Sequence, residues 1–349
     1  MNAGALRARQ RQRHYLLVTL VVIAILAACH ILQGPRSIPL HSYLSLLQSP
    51  GQQGFDQFVI LFLRLPRILA AVAAGAALGA SGFLLQTAMR NRLGEPQILG
   101  LNAGASLAVV LLNTYPLFPL PPLLTPFAAS FGAGALFGLV LLLSTAGRNR
   151  FDPDKMVFFG IALSALANAI VSAVLILNED TLEELRFWLV GDTAGIGYAA
   201  LAATVPTILI GLLFGCLLMP SLAAFTLGET IASSLGASVR RTRFAALLVA
   251  ALLSGSVVSL VGPIGFIGLI APAFWPRLHQ LPSAMALLLS AMSGSALLLA
   301  ADLLAVSLTR RNHQHGSGLT PAQRGQQGFA VAVRQAQVQH HQIRPQAGV

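Results

Sequence analysis

This sequence has little charge. Only 9% of its 349 residues are charged, against roughly a quarter in a soluble domain, while 55% are hydrophobic and the mean hydropathy is +0.74. A cytosolic enzyme, a nucleic-acid binder and a disordered chain all fit that balance badly. Lysine is almost missing: Lys155 is the single lysine among 22 basic residues. It follows Asp154 with no glycine-rich loop before it, so no phosphate-cradling G-x-x-x-x-G-K-[ST] exists and the chain cannot be its own ATPase. Cysteine is scarce as well. Cys29 and Cys216 both sit inside apolar runs, which argues against a disulfide framework and against a thiolate metal site.

What fills the sequence instead is long apolar runs. The first begins at Tyr15 and ends near Leu32, behind an N-terminus carrying Arg7, Arg9, Arg11 and Arg13. Leu26-Ala27-Ala28-Cys29 resembles a lipoprotein cleavage box, but the chain stays apolar for about another 270 residues, so an uncleaved first span is the better reading. Further runs lie at Ile68–Thr87, Ile98–Thr114, Leu123–Ala146, Met156–Leu177, Tyr198–Met219, Phe244–Val261, Ile264–Phe274 and Ala284–Leu308. About 20 apolar residues cross a bilayer core, so these are nine candidate spans, the eighth of them short. The loops alternate in charge. Arg90 and Arg92, then Arg148, Arg150 and Lys155, then Arg240, Arg241 and Arg243 all fall on one side, and the acidic Glu179, Asp180, Glu183, Glu184 and Asp192 on the other. The net charge of +11 therefore reports topology, with the N-terminus cytoplasmic, and not a nucleic-acid partner.

Within the spans, small-xxx-small spacing such as Gly75 with Gly79 predicts close helix packing. The Gly262-Pro263-Ile264-Gly265 and Ala271-Pro272 interruptions predict a broken helix beside a pathway. Asp302 is an acid inside the last run, costing roughly 2.5–3.5 kcal/mol at a helix centre, and raises the alternative of a proton-coupled carrier.

Four segments together resemble the permease subunits of cobalamin and iron-siderophore ABC importers, the FecCD family. They are Arg64-Leu65-Pro66-Arg67 running into Gly75–Gly82 and Gln86; Arg90-Asn91-Arg92-Leu93-Gly94-Glu95-Pro96 with Leu99–Ala105; Leu227-Gly228-Glu229 with Ala232, Leu235 and Gly236; and Gly262 to Pro272. The order and spacing match from about residue 60 to residue 305. The resemblance implies an all-α, ten-span membrane bundle that pairs with a second permease subunit, a cytoplasmic ATPase dimer and a periplasmic binding protein. ATP and Mg would sit on the ATPase, and no cofactor or metal on this chain. Arg64 and Arg67 would dock acidic groups of the binding protein. Leu227, Gly228, Glu229, Ala232, Leu235 and Gly236, within a region of about 221–243, would couple to the ATPase. Gly262, Pro263, Gly265, Phe266, Gly268 and Pro272 would shape the pathway, and Asp302 would be a paired acid near the interface. The cargo implied is an iron-siderophore complex, with haem or cobalamin as alternatives and a channel or proton-coupled carrier as the rival class.

The sequence departs from that pattern in two places. After Pro272 the family continues with His and then Arg, where this chain has Ala273-Phe274-Trp275-Pro276-Arg277, and Val306 stands where a further arginine is expected. Residues 309–349 read as a polar, disordered tail with five Arg, four His, nine Gln and no acid from residue 310 onward, so the tenth span is missing. A reading-frame change near Ala305 would explain it and would make an inactive product. The expected organisation is a basic cytoplasmic N-terminus at 1–14, a membrane domain of about nine spans at 15–308, and the tail.

Overall fold

The computed structural model describes residues 3–33, 38–39, 43, 54–115, 121, 124–145, 153–225, 234, 238–275 and 283–316. All regular elements among them are helical. They are α1 (Ala3–Leu32), α2 (Leu65–Met89), α3 (Leu101–Thr114), α4 (Thr125–Thr145), α5 (Pro153–Leu177), α6 (Glu179–Val190), α7 (Tyr198–Ala224), α8 (Val239–Val261), α9 (Ile267–Ala273) and α10 (Ala284–Gly316). A turn at Phe55–Phe58 and a π-helical stretch, Val59–Arg64, run without a break into α2.

Helix α2 is the centre of the bundle because 16 of its 25 residues are Ala, Gly or Leu. Gly75 and Gly79 press on the backbone of Gly294 and Ser290 in α10, and Gly82 on Gly268 in α9, so closely that a Cβ at any of the three would overlap a carbonyl group. In lipid no hydrophobic force joins helices, and close packing with interhelical hydrogen bonds replaces it. Ser290 Oγ donates to Gly79 O at 2.9 Å, Ser295 Oγ to Val72 O at 2.7 Å, and Ser81 Oγ to Ala250 O of α8 at 3.0 Å. Helix α8 is joined the same way to α4, through Ser130 Oγ and Leu252 O at 3.1 Å, and to α7, where Thr207 and Ser256 hydroxyls lie 2.9 Å apart. The expected tight contact at Gly75 and Gly79 is present. Leu17, Leu20, Val21 and Ile25 of α1 stay exposed, as a lipid-facing outer helix requires.

Seven described helices are long and apolar enough to cross a membrane: His14–Leu32, Phe55–Met89, Thr125–Ser144, Asp154–Leu177, Tyr198–Ala224, Arg241–Val261 and Ala284–Leu308. The expected count of about nine spans, the eighth of them short, is not confirmed, since two of the runs give helices too short to cross. The third run becomes helical only at Leu101, after Pro96 and a left-handed Gly100 (φ 85°), and its 14 residues reach about 21 Å, short of a bilayer core of roughly 30 Å. The eighth run yields only the seven residues of α9, because Gly262 (φ 78°) and Phe266 (φ 67°) break the backbone before it. The acidic connection after α5 is a helix of 12 residues, α6, with Glu179 and Asp180 favourably placed at its N-terminus. Helix α10 continues eight residues past Leu308, into the segment expected to be a disordered tail; residues 317–349 lie outside the described residues.

Candidate functional site

At one end of the bundle, three distant parts of the chain converge on Asp302. Its Oδ2 lies 2.6 Å from His30 Nε2 in the last turn of α1 and accepts Arg67 Nε–H at 2.8 Å. Its Oδ1 accepts from Arg67 Nη2 at 2.7 Å and from the Thr193 hydroxyl at 2.8 Å. An arginine fork on a carboxylate gives two parallel, charge-assisted bonds, the strongest arrangement open to such a pair. Asp192 stands 3.9 Å from the same guanidinium and is half exposed. The acid is thus paired, and each of its oxygens is engaged by two groups.

Arg64 and Arg67, which the resemblance implied would dock acidic groups of a binding protein, are both bonded within the chain. Arg64 is buried at 6% exposure and donates through Nη1 to Ile31 O at 2.6 Å and to the Tyr43 hydroxyl at 2.8 Å. Arg67 is 23% exposed and spends its fork on Asp302. The reason is energetic. A guanidinium taken out of water must find partners inside the protein, and the Val59–Arg64 π-helical stretch and the first turn of α2 aim these two inward.

The broken segment starts beside the Asp302 cluster, where Asp192 N–H donates to Val261 O at 3.0 Å, and side chains from the Arg90–Ala105 motif hold it. Phe266 N–H donates to Glu95 Oε1 at 3.0 Å, while Glu95 Oε2 accepts from the amides of Gln97 at 2.8 Å and Ile98 at 3.1 Å. Asn102 Nδ2 donates to Ile264 O at 2.9 Å and is itself oriented by Ser254 Oγ, which donates to Asn102 Oδ1 at 2.7 Å. Gln86 Nε2 donates to Gly268 O at 3.1 Å. Burial holds the Glu95 carboxyl above the usual carboxylate range, against the three amides that favour its charged form. The Phe266 ring is exposed, Gly262 packs against Trp188 O, and Pro272 is buried within α9.

Glu95, Asn102 and Gln86 stand among the motif residues with no site role assigned from the sequence, and Gln97 stands outside the motifs. The signal was available: Glu95 is one of 11 acids and lies in a Gly-Glu-Pro step between apolar runs. Leu227, Gly228, Glu229, Ala232, Leu235 and Gly236 lie outside the described residues. Among the described residues no group of three or more His, Cys, Asp or Glu could hold a metal ion.

A profile of the FecCD transport family matches residues 19–321. The chain belongs to the FecCD transport family. The match runs past Ala305, where the sequence motifs end, and takes in the whole of α10. This FecCD chain is 35% identical over 287 residues to the ferric enterobactin transport system permease protein FepD of Escherichia coli, covering 82% of this chain and 85% of that one. It is 33% identical over 297 residues to the Fe(3+)-citrate import system permease protein YfmE of Bacillus subtilis, covering 84% and 88%. It is 34% identical over 302 residues to the vitamin B12 import system permease protein BtuC of Vibrio vulnificus, covering 86% and 87%. A solved structure described as a metal-chelate type ABC transporter in an inward-facing conformation superposes with a TM-score of 0.69 at 26% identity, covering 85% of this chain and 91% of that one. These relatives are transport permeases, not enzymes, and the FecCD chain is a multi-pass membrane protein like them.

Proposed function

We propose that this FecCD chain is the permease subunit of a binding-protein-dependent ABC importer in the bacterial inner membrane, carrying an iron-siderophore complex by ATP-driven alternating access. The observation that carries the reading is the match over residues 19–321 to a family whose similar members import iron chelates or vitamin B12. The structure supports it with a bundle whose two interrupted segments, 90–100 and 262–266, are held by side chains instead of regular helix. On this reading the α3 and α9 regions complete a nine-segment topology with the N-terminus cytoplasmic, as the loop charges require. A cytoplasmic ATPase dimer would engage the Leu227–Gly236 stretch, a periplasmic binding protein would dock near Arg67 and Asp192, and a second permease subunit would complete the pathway. The test is uptake of iron-labelled ferric siderophore in cells lacking their own permease, supplied with this chain, its ATPase and its binding protein. Uptake that vanishes when the ATPase is inactivated supports the reading. Uptake of cobalamin or haem alone would move the cargo assignment, and uptake indifferent to the ATPase would overturn it in favour of a carrier.

A further inference from the structure

The two interrupted segments face each other, and one carboxylate bridges them. Residues 90–100 connect α2 to α3 without regular helix, and residues 262–266 connect α8 to α9 through extended and left-handed backbone. Such backbone inside a membrane bundle leaves donors and acceptors that only protein groups can satisfy. Glu95 satisfies donors on both sides: Gln97 and Ile98 of its own segment through Oε2, and Phe266 of the other through Oε1. It is 1% exposed, so water does not stand in for any of the three.

We infer that Glu95 is the positioning residue that makes the two interrupted segments one moving part of the transport cycle, a role that rests on the transport reading above. Around that bridge, Asn102 holds Ile264 O and Gln86 holds Gly268 O, so segment 262–268 is tied to the α2–α3 side at three points. Gly265 also packs so tightly on the Gln97 amide that a side chain there would overlap it. The assembly reaches toward the cytoplasmic side. Arg243, at the start of α8 and just beyond the Leu227–Gly236 stretch, donates to Ala88 O at 3.0 Å, one residue before the end of α2 and seven residues before Glu95. A displacement of α8 at that end pulls on the end of α2, and Glu95 carries it to Phe266. The chemistry requires a carboxylate. Its two oxygens accept from all three amides at once, whereas a glutamine of the same shape offers one acceptor oxygen and sets an NH2 against an N–H.

The test uses the full chain with its ATPase and binding protein, carrying Glu95→Gln in a background with Cys29→Ser and Cys216→Ser. Uptake of ferric siderophore is expected to fall at least tenfold, while chain abundance and ATP hydrolysis stay within about twofold of the parent. The distinguishing readout is rescue. Gln97→Cys with Gly265→Cys, added to Glu95→Gln, replaces the carboxylate bridge with a disulfide between the same segments, so uptake should recover on oxidation and fall again on reduction. No recovery on oxidation, a joint fall of abundance and uptake, or full uptake by Glu95→Gln alone would each overturn the inference. If the parent chain imports nothing, the transport reading itself fails. Hydrogen exchange at the Phe266 amide then decides about Glu95: exchange at least tenfold faster in Glu95→Gln sustains the bridge, and unchanged exchange removes it.

Discussion

Asp302 and Glu95 are both acids kept away from water, and they are kept by different means. Asp302 is neutralised by formal charge, since the Arg67 fork binds it directly at 2.7 and 2.8 Å. Removing one partner from such a pair strands the other, at a cost of roughly 3–5 kcal/mol, whereas replacing both with apolar groups of similar volume is often close to neutral. Arg67→Met should therefore lower the melting temperature of the detergent-solubilised chain sharply, and Arg67→Met with Asp302→Leu should recover most of the loss. A double variant no better than the single one would show that the cluster does more than balance charge. Glu95 has only amide dipoles, and burial leaves its carboxyl above the ordinary value of 4.5.

Among the helices, the contact of α2 with α10 is the most sequence-determined. Gly79 leaves no room for any side chain against Ser290, so Gly79→Leu should force the pair apart and cost about 1–3 kcal/mol or more, read as loss of the monodisperse peak in detergent. Normal elution of the Leu variant would mean that α10 can slide to accommodate it. This contact was legible because small residues four apart have one structural meaning in lipid. The partial spans were legible only in part. Run 264–274 was already short and broken by Gly262-Pro263, whereas run 98–114 is as apolar as a spanning helix and hydropathy does not see that Gly100 leaves the right-handed region. Helix α6 escaped for the opposite reason: its acids marked it as an outer loop, and a polar amphipathic helix of 12 residues has no apolar run to reveal it. At the site, the pairing of Asp302 was readable from the cost of an unpaired acid, but its partners were not, since His30, Arg67 and Thr193 are 272, 235 and 109 residues away in sequence.

For the whole molecule, loop charge and structure agree on two opposite ends. His30, Arg67, Thr193 and Asp302 meet at one, and Arg243 meets Ala88 at the other, beside the Arg90 and Arg92 loop. Helix α10 is too long for the slab between them. Its 33 residues extend about 50 Å, against a hydrocarbon core of roughly 30 Å, and Asp302 marks where the outer end of the bundle begins. Under the proposed orientation the turns beyond it, which run through Arg310 and Arg311 to Gly316, would stand outside the lipid as a stalk on the same side as Asp192. A protease confined to the outside of the cell should reach those arginines. Trypsin added to spheroplasts should clip the chain there while leaving the Arg90, Arg92 and Lys155 loops uncut, and inside-out vesicles should show the reverse. Cleavage at the stalk from the vesicle side would invert the assigned orientation.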